Sequence, residues 1–387
     1  MTIDLPLALY IHLPWCVRKC PYCDFNSHQV PAELDQFSYI YSLLRDLDYE
    51  LESYPVGPRR VRTIFIGGGT PSLFRSEAIG QLLSGIRARV SCDEDLEVTL
   101  EANPGTLEHD RFAGYRRAGV NRLSIGVQSF HADSLRELGR IHGPAEARQA
   151  IASAREAGFD NLNIDLMGAL PGQSLQMALD DVAAAVAEAP VHISYYQLTL
   201  EPNTPFHHRP PEALPDHDQE YRLLSAGRRL LEEAGYEQYE VSAFSRPGMQ
   251  CRHNLNYWRF GDYIGLGAGA HGKVTEIASG RVVRRWRVKS PARYQSLAGG
   301  AGVLAGERRL ASDDLMLEFM MNALRLRGGF PPGLFSERTG CAEQLLWSCL
   351  ERPLDRGLVQ FEEGRLCATE LGWRFLDDIL GEFLIET

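Results

Sequence analysis

Through about residue 245 the chain alternates short β-rich runs with longer stretches whose apolar residues recur every three to four positions. The short runs are Leu7 to Leu13, Arg62 to Ile66, Leu96 to Ala102, Arg122 to Val127, Leu162 to Leu166 and Val191 to Leu200. This order predicts parallel strands joined by helical crossovers. Between them, Ile79, Leu82, Leu83 and Ile86 mark the buried stripe of one predicted helix. Six strand–helix units are visible where a closed barrel needs eight, so the pattern predicts an α/β fold with an open (β/α)6 partial barrel over residues 1–245. Three helices end alike, at Gly119, Gly158 and Gly235, where glycine permits the left-handed turn that stops a helix and feeds the next strand.

Prolines at 202, 205, 210, 211 and 215 mark a long loop after the sixth strand. Residues 246–310 read as an irregular connecting segment with a glycine-rich run and a basic strip. From 311 to 387 the pattern turns helical, then gives two short β-like runs, Leu358 to Phe361 and Arg365 to Ala368, and a final helix. That order predicts a winged-helix-like domain. Residues 308–387 hold nine basic and fourteen acidic side chains, a balance that argues against DNA binding.

The whole chain of 387 residues is 44% hydrophobic, enough to bury a large core, which excludes fibrous and disordered classes. Forty Lys and Arg against fifty-one Asp and Glu give a net charge of -11, which disfavours a general nucleic-acid binder. No apolar run is long enough to span a bilayer, and the start around Asp4 lacks the basic region of a secretion signal, so a cytoplasmic location is expected.

Of eight Cys, three lie within eight positions: Cys16, Cys20 and Cys23. In a reducing compartment such a cluster reads as metal ligation. Zinc usually closes four ligands from paired hooks, and no second hook is present. CxxxCxxC spacing suits a [4Fe-4S] cluster held by three thiolates, with one iron left without a protein ligand. Beyond the other strands lie Gly67-Gly68-Gly69-Thr70-Pro71, Glu101-Ala-Asn103-Pro104, Gln128-Ser129, Asp165 and Gln197 to Thr199. In a parallel barrel these positions converge on one mouth. Each could be a satisfied structural hydrogen bond; four polar ends together favour a ligand.

The cysteine loop, with Tyr22 before its last Cys, resembles the radical S-adenosylmethionine superfamily, whose members chelate the open iron with the methionyl amine and carboxylate. That resemblance assigns Tyr10, Tyr22, Gly68, Gly69, Thr70, Glu101, Gln128, Arg140 and Asp165 to an S-adenosylmethionine pocket. It gives the ribose hydroxyls to the carboxylates and places Arg140 near the methionyl carboxylate or a reactive intermediate.

The order YIHLPWC, GGGTPS, EANP, SIGVQS, LMGALPG and QLTLEPNTPF resembles, over nearly the whole chain, the branch that contains oxygen-independent coproporphyrinogen III oxidase and the HemW-type haem chaperones. The oxidase motif adds a fourth Cys where this chain has Phe25, and the oxidase carries an extension ahead of its first strand. Both differences point to the chaperones, as does Cys251-Arg-His253-Asn254-Leu-Asn-Tyr257-Trp258, which matches their HNxxYW signature. The resemblance implies haem ligation by His253 and transfer of haem to acceptor haemoproteins, with respiratory enzymes at the membrane as acceptors and a peripheral place at its inner face. A homodimer is left open, as is oxidative decarboxylation of coproporphyrinogen III.

Four further features stay apart from that pattern. Cys251 and His253 could form a metal hook, but no further ligand pair is apparent. The run Gly265 to Gly272 lacks the setting of a dinucleotide fingerprint and reads as a tight loop, with His271 a weaker haem candidate. Arg281, Arg284, Arg285, Arg287 and Lys289 around Trp286 read either as a solvated strand or as partners for haem propionates or anionic lipid. The last helix, with Trp373, Leu376, Leu380 and Phe383, reads as core packing or a partner surface.

Overall fold

A computed structural model describes residues 5–105 and 111–384; the start of the chain, on which the signal-peptide expectation rests, lies outside them. Six parallel strands stand side by side in chain order: β1 (Leu7–Leu13), β2 (Val61–Gly68), β3 (Cys92–Ala102), β4 (Arg122–Gln128), β5 (Leu162–Gly168) and β6 (His192–Gln197). β1 has the expected bounds. β3 starts four residues earlier than expected, and β2 runs on into its glycines, because the backbone of Gly67 and Gly68 keeps register with His12 and Leu13. The helix Ser76–Arg87 buries Ile79, Leu82, Leu83 and Ile86 against the sheet, as its periodicity requires. Gly119, Gly158 and Gly235 have φ of 106°, 84° and 80°, the left-handed stops expected of them.

Residues 246–310 depart from the expected irregular segment, because they continue the sheet. After β7 (Glu237–Glu240) and β8 (Ala243–Ser245) come β9 (Asp262–Leu266), β10 (His271–Thr275), β11 (Val282–Arg287) and β12 (Leu304–Arg309). β9 pairs parallel with β1, Leu9 opposite Ile264, and β10 to β12 follow as an antiparallel meander. The full order is β12-β11-β10-β9-β1-β2-β3-β4-β5-β6-β8-β7, an open sheet with an antiparallel strand at each rim.

The basic strip divides: Arg281 and Lys289 are exposed, as a solvated strand requires, whereas two of its members are not. Arg285 and Arg287 of β11 are buried, and their guanidinium groups pair with Glu50 and Asp46 of the helix Gln36–Ser53. The sequence does not reveal these pairs, because the partners lie some 240 positions away in the chain.

The C-terminal module has its own core, with Phe319, Phe330, Phe335, Leu346, Leu350 and Phe383. Its hairpin, β13 (Val359–Glu362) with β14 (Arg365–Ala368), matches the predicted wing. The single final helix expected there is two short ones, Glu370–Arg374 and Leu376–Gly381, because the backbone breaks at Phe375; Trp373, Leu376 and Leu380 pack against that core, in line with the core-packing reading. The module touches both rims of the sheet. On one side Phe260 and Val282 enter its core and Arg284 bonds Glu318; on the other Leu326 bridges Glu240, which also pairs with Arg325. Among the described residues no helix is long and apolar enough to cross a membrane.

Candidate metal centre and cofactor cavity

The chain leaves β1 at Leu13 and enters the cysteine loop, which closes on itself: Trp15 and Cys16 pair in parallel with His28 and Gln29. The three thiols are free, half-buried, and line a cavity of about 480 Å3 at the C-terminal mouth of the parallel strands. Burial pushes the Cys23 thiol up to about 11, with Cys20 and Cys16 adding to the rise and the Phe25 amide opposing it. Burial likewise raises Cys16. The Cys16 and Cys23 thiols therefore resist ionisation until a cation joins them. Donors already face the sulfurs: Thr70 Oγ1 lies 3.4 Å from Cys16 Sγ and Arg140 Nη1 lies 3.6 Å from Cys20 Sγ. Asn103 links the two donors, giving its amide to Thr70 (2.9 Å) and accepting from Arg140 Nη2 (2.6 Å).

The strand ends converge as expected. Gly68, with φ 113°, has no room for a side chain: a Cβ there would fall 2.5 Å from the His12 ring, and one on Gly69 would fall 2.6 Å from the Trp15 carbonyl oxygen. Gly68 N–H donates to Glu101 Oε2 at 3.1 Å. Burial, reinforced by Asp165, lifts the Glu101 carboxyl to about 7, and the Gly68 amide opposes the rise. Asp165 is also raised by burial and opposed by hydrogen bonds. Gln128 takes a left-handed turn, φ 70°, at the end of β4 and lines the cavity with Tyr22, Thr70, Arg140 and Asp165. Tyr10 differs from its expected place. It is not among the cavity-lining residues: its hydroxyl bonds His12 Nδ1 at 3.0 Å and its ring stacks on Phe65, which does line the wall.

Below these groups lies a polar floor that was not singled out in the sequence. Asn163 donates to Asp165 Oδ1 and to Ser124 Oγ, both at 2.8 Å, and its Oδ1 contacts His192 Nδ1 at 2.6 Å. Arg122, 2% exposed, also lines the cavity. Alternation along β4 to β6 could have flagged Ser124, Asn163 and Ser194, because polar residues inside a parallel strand are unusual.

The HNxxYW segment forms the helix Arg252–Trp258, packed against β1 and β2. Glu97 accepts from the amides of Arg252 (3.3 Å) and His253 (3.1 Å) at its start. His253 is 1% exposed, and both ring nitrogens are engaged: Nδ1 with Thr63 Oγ1 and Nε2 with the Tyr257 hydroxyl, each at 2.8 Å. Burial, with Arg122 adding, pushes the imidazole down to about 3, so it is held neutral. Only Asn254 of this segment reaches the cavity. Cys251 does not form a hook with His253, since its thiol faces Glu97 Oε1 at 3.8 Å and burial raises it to about 12. His271 is exposed and stacks on Trp286. The glycine run is a β9–β10 turn, in line with the tight loop expected there.

Three free thiols around a cavity at the mouth of an open parallel barrel define a radical SAM protein, and the profile of the Radical SAM superfamily matches residues 10–185. The profile of the HemN C-terminal domain matches residues 310–375. The chain is 49% identical to the Heme chaperone HemW of Escherichia coli (strain K12), over 98% of this chain and 99% of that one. It is 36% identical to the Heme chaperone HemW of Mycobacterium tuberculosis (strain ATCC 25618 / H37Rv), over 98% of this chain and 95% of that one. It belongs to the HemW family. Among solved structures, coproporphyrinogen III oxidase (HemN) from Escherichia coli matches with a TM-score of 0.81 at 22% identity, over 98% of this chain and 90% of that one, a likeness of fold.

Membership of the superfamily makes a [4Fe-4S] cluster and S-adenosylmethionine the cofactors of this centre. The residues fit them: the cavity holds three thiols, two glycines that admit a close ligand, and buried Arg140 and Arg122 nitrogens (Nε) with no hydrogen-bond partner.

Proposed function

We propose that this chain takes up haem and hands it to acceptor haemoproteins. The observation that carries this reading is the end-to-end similarity to the Heme chaperone HemW of Escherichia coli. Phe25 supports it: where the oxidase motif has a fourth Cys, this chain sets a phenyl ring that is 57% exposed at the cavity mouth. Respiratory enzymes at the inner face of the cytoplasmic membrane are the proposed acceptors, met by a cytoplasmic, peripheral protein that works as a homodimer.

In the cavity, the backbone of Gly68 and Gly69 with Thr70 would receive the methionyl group and Arg140 its carboxylate. Glu101 and Asp165 would accept from the ribose hydroxyls, while Tyr22 and Gln128 close the walls. Tyr10 acts one layer behind, through Phe65. The cluster, when present, supplies an electron and an open iron for chelation.

His253 would ligate the haem iron, and it would first have to leave Thr63 and Tyr257. Hemin titration followed at the Soret band tests the reading: the parent protein should bind, and the His253→Ala variant should bind more weakly with an altered band. Equal binding by the variant removes His253 as ligand. Formation of protoporphyrinogen from coproporphyrinogen III under anaerobic, reducing conditions with S-adenosylmethionine would overturn the chaperone reading.

A further inference from the structure

The cysteine loop is gripped from two sides, and only one belongs to the barrel. On the inner side, Thr70 and Arg140 face the sulfurs. On the outer side stands Asn26, three positions after Cys23. Its Nδ2 donates to two carbonyl oxygens, Ala268 and Lys289, each at 2.9 Å. Its own carbonyl lies 2.9 Å from His12 Nε2. His28, two residues on, reaches the same Lys289 carbonyl at 3.2 Å. Ala268 sits in the turn between β9 and β10, and Lys289 follows β11, so both acceptors lie outside residues 10–185.

The glycines of that turn are shaped to this contact. Gly269, φ +79°, approaches Asn26 so closely that a Cβ would lie 2.5 Å from Nδ2. Gly267, φ +108°, would place a Cβ 2.3 Å from the His12 carbonyl oxygen. The run that mimics a nucleotide fingerprint thus serves as a seat for one amide.

We infer that Asn26 is a positioning residue for the metal centre, and that the turn 267–270 is part of the apparatus holding the three thiolates in register. Ligand-orienting contacts of this kind typically change metal affinity or activity about 10- to 100-fold when removed. Loss of the amide takes one donor from the Ala268 carbonyl and leaves the exposed Lys289 carbonyl to His28.

The test uses full-length protein with its cluster assembled anaerobically, comparing the parent, Asn26→Ala, Gly269→Ala and the double variant. Asn26→Ala should release iron to a ferrous chelator about tenfold faster and weaken the change that S-adenosylmethionine makes in the electron paramagnetic resonance spectrum of the reduced cluster. The thermal midpoint of the cluster-free protein should move little. Gly269→Ala should act in the same direction, and less so in the double variant, where truncation of the Asn26 side chain removes the contacts at 2.5 and 2.7 Å and leaves only the Cβ contact at 2.9 Å. A general loss of fold would not produce that coupling.

Parental iron release and a full spectral response in Asn26→Ala would overturn the assignment. So would a lowered cluster-free midpoint with an unchanged spectrum. If Asn26→Ala does not fold, the same two measurements on Gly269→Ala decide it. The inference rests on the cluster and is independent of haem. A parent protein that assembles no cluster overturns both it and the cofactor assignment, whereas failure of hemin binding leaves it standing.

Discussion

The cysteine loop and the Arg252–Trp258 helix are both short and rich in chemistry, yet they sit in opposite physical states. The loop leaves its groups open: the thiols are free and half-buried, Phe25 stands in solvent, and the adjoining Arg140 keeps one nitrogen without a partner. The helix is closed. Glu97 caps its first amides, and both nitrogens of His253 are bonded out of solvent. The thiol site is therefore preformed, whereas a haem ligand at His253 has to be uncovered. Uncovering costs about 1 kcal/mol net for each hydrogen bond given up, plus the repacking of Tyr257 against Tyr263.

The comparison can be broken at four points. The largest effect is expected at the open site: Cys20→Ser should abolish cluster assembly, read as loss of bound iron and visible absorbance. The cluster-free protein should melt within about 2 °C of the parent, because a half-buried loop thiol contributes little to packing. A large fall in that midpoint would mean that the loop is a core element.

His253→Ala should behave in the opposite way. It leaves Thr63 and Tyr257 unpaired and opens a cavity beside Phe65, for a loss of about 3 kcal/mol in denaturant unfolding while the cluster still assembles. A stability equal to the parent's would show that the helix is not closed.

Third is the pH response of Glu101. Its folded value, near 7, lies above the ordinary carboxyl value, so the folded state holds that proton more tightly than the unfolded chain. The stabilisation is complete below about pH 4.5 and is lost as pH rises through 7, by roughly 3 kcal/mol. Glu101→Gln should remove that decline from stability curves of the cluster-free protein. Identical curves for parent and variant would place the carboxylate in solvent. The smallest change is Tyr239→Phe, which cuts one hydroxyl joining His192 to the Cys251 amide; a loss of about 1 kcal/mol is expected by the same unfolding measurement.

The barrel was legible because its signals are local. Leu7 to Leu13 is apolar throughout, its loop carries the thiols, and glycines stop three helices where the chain turns. The thiol loop and the polar strand ends that line the cavity follow from the rule that parallel strands present their ends to one mouth.

What was missed depends on partners far along the chain. Arg285 and Arg287 look solvated until Asp46 and Glu50 are seen beside them. β9 and β10 are short and separated by glycines, too weak a pattern to reveal a sheet that continues past β1. Arg122 and His192 occupy the first positions of their strands, where the sequence does not tell the cavity floor from a solvated end. His253 was legible as a motif. Its burial was not, because Thr63 and Tyr257 acquire meaning only once the helix lies against β2.

A curved sheet with too few parallel strands to meet itself has two loose margins, and in this chain one body clasps both. Glu318 holds Arg284 at one margin while Leu326 and Arg325 hold Glu240 at the other. The C-terminal module thus stands in for the missing staves of the barrel. Detaching it would leave both margins without that tie, so a domain with no residue among those lining the cavity braces the sheet that carries the thiols.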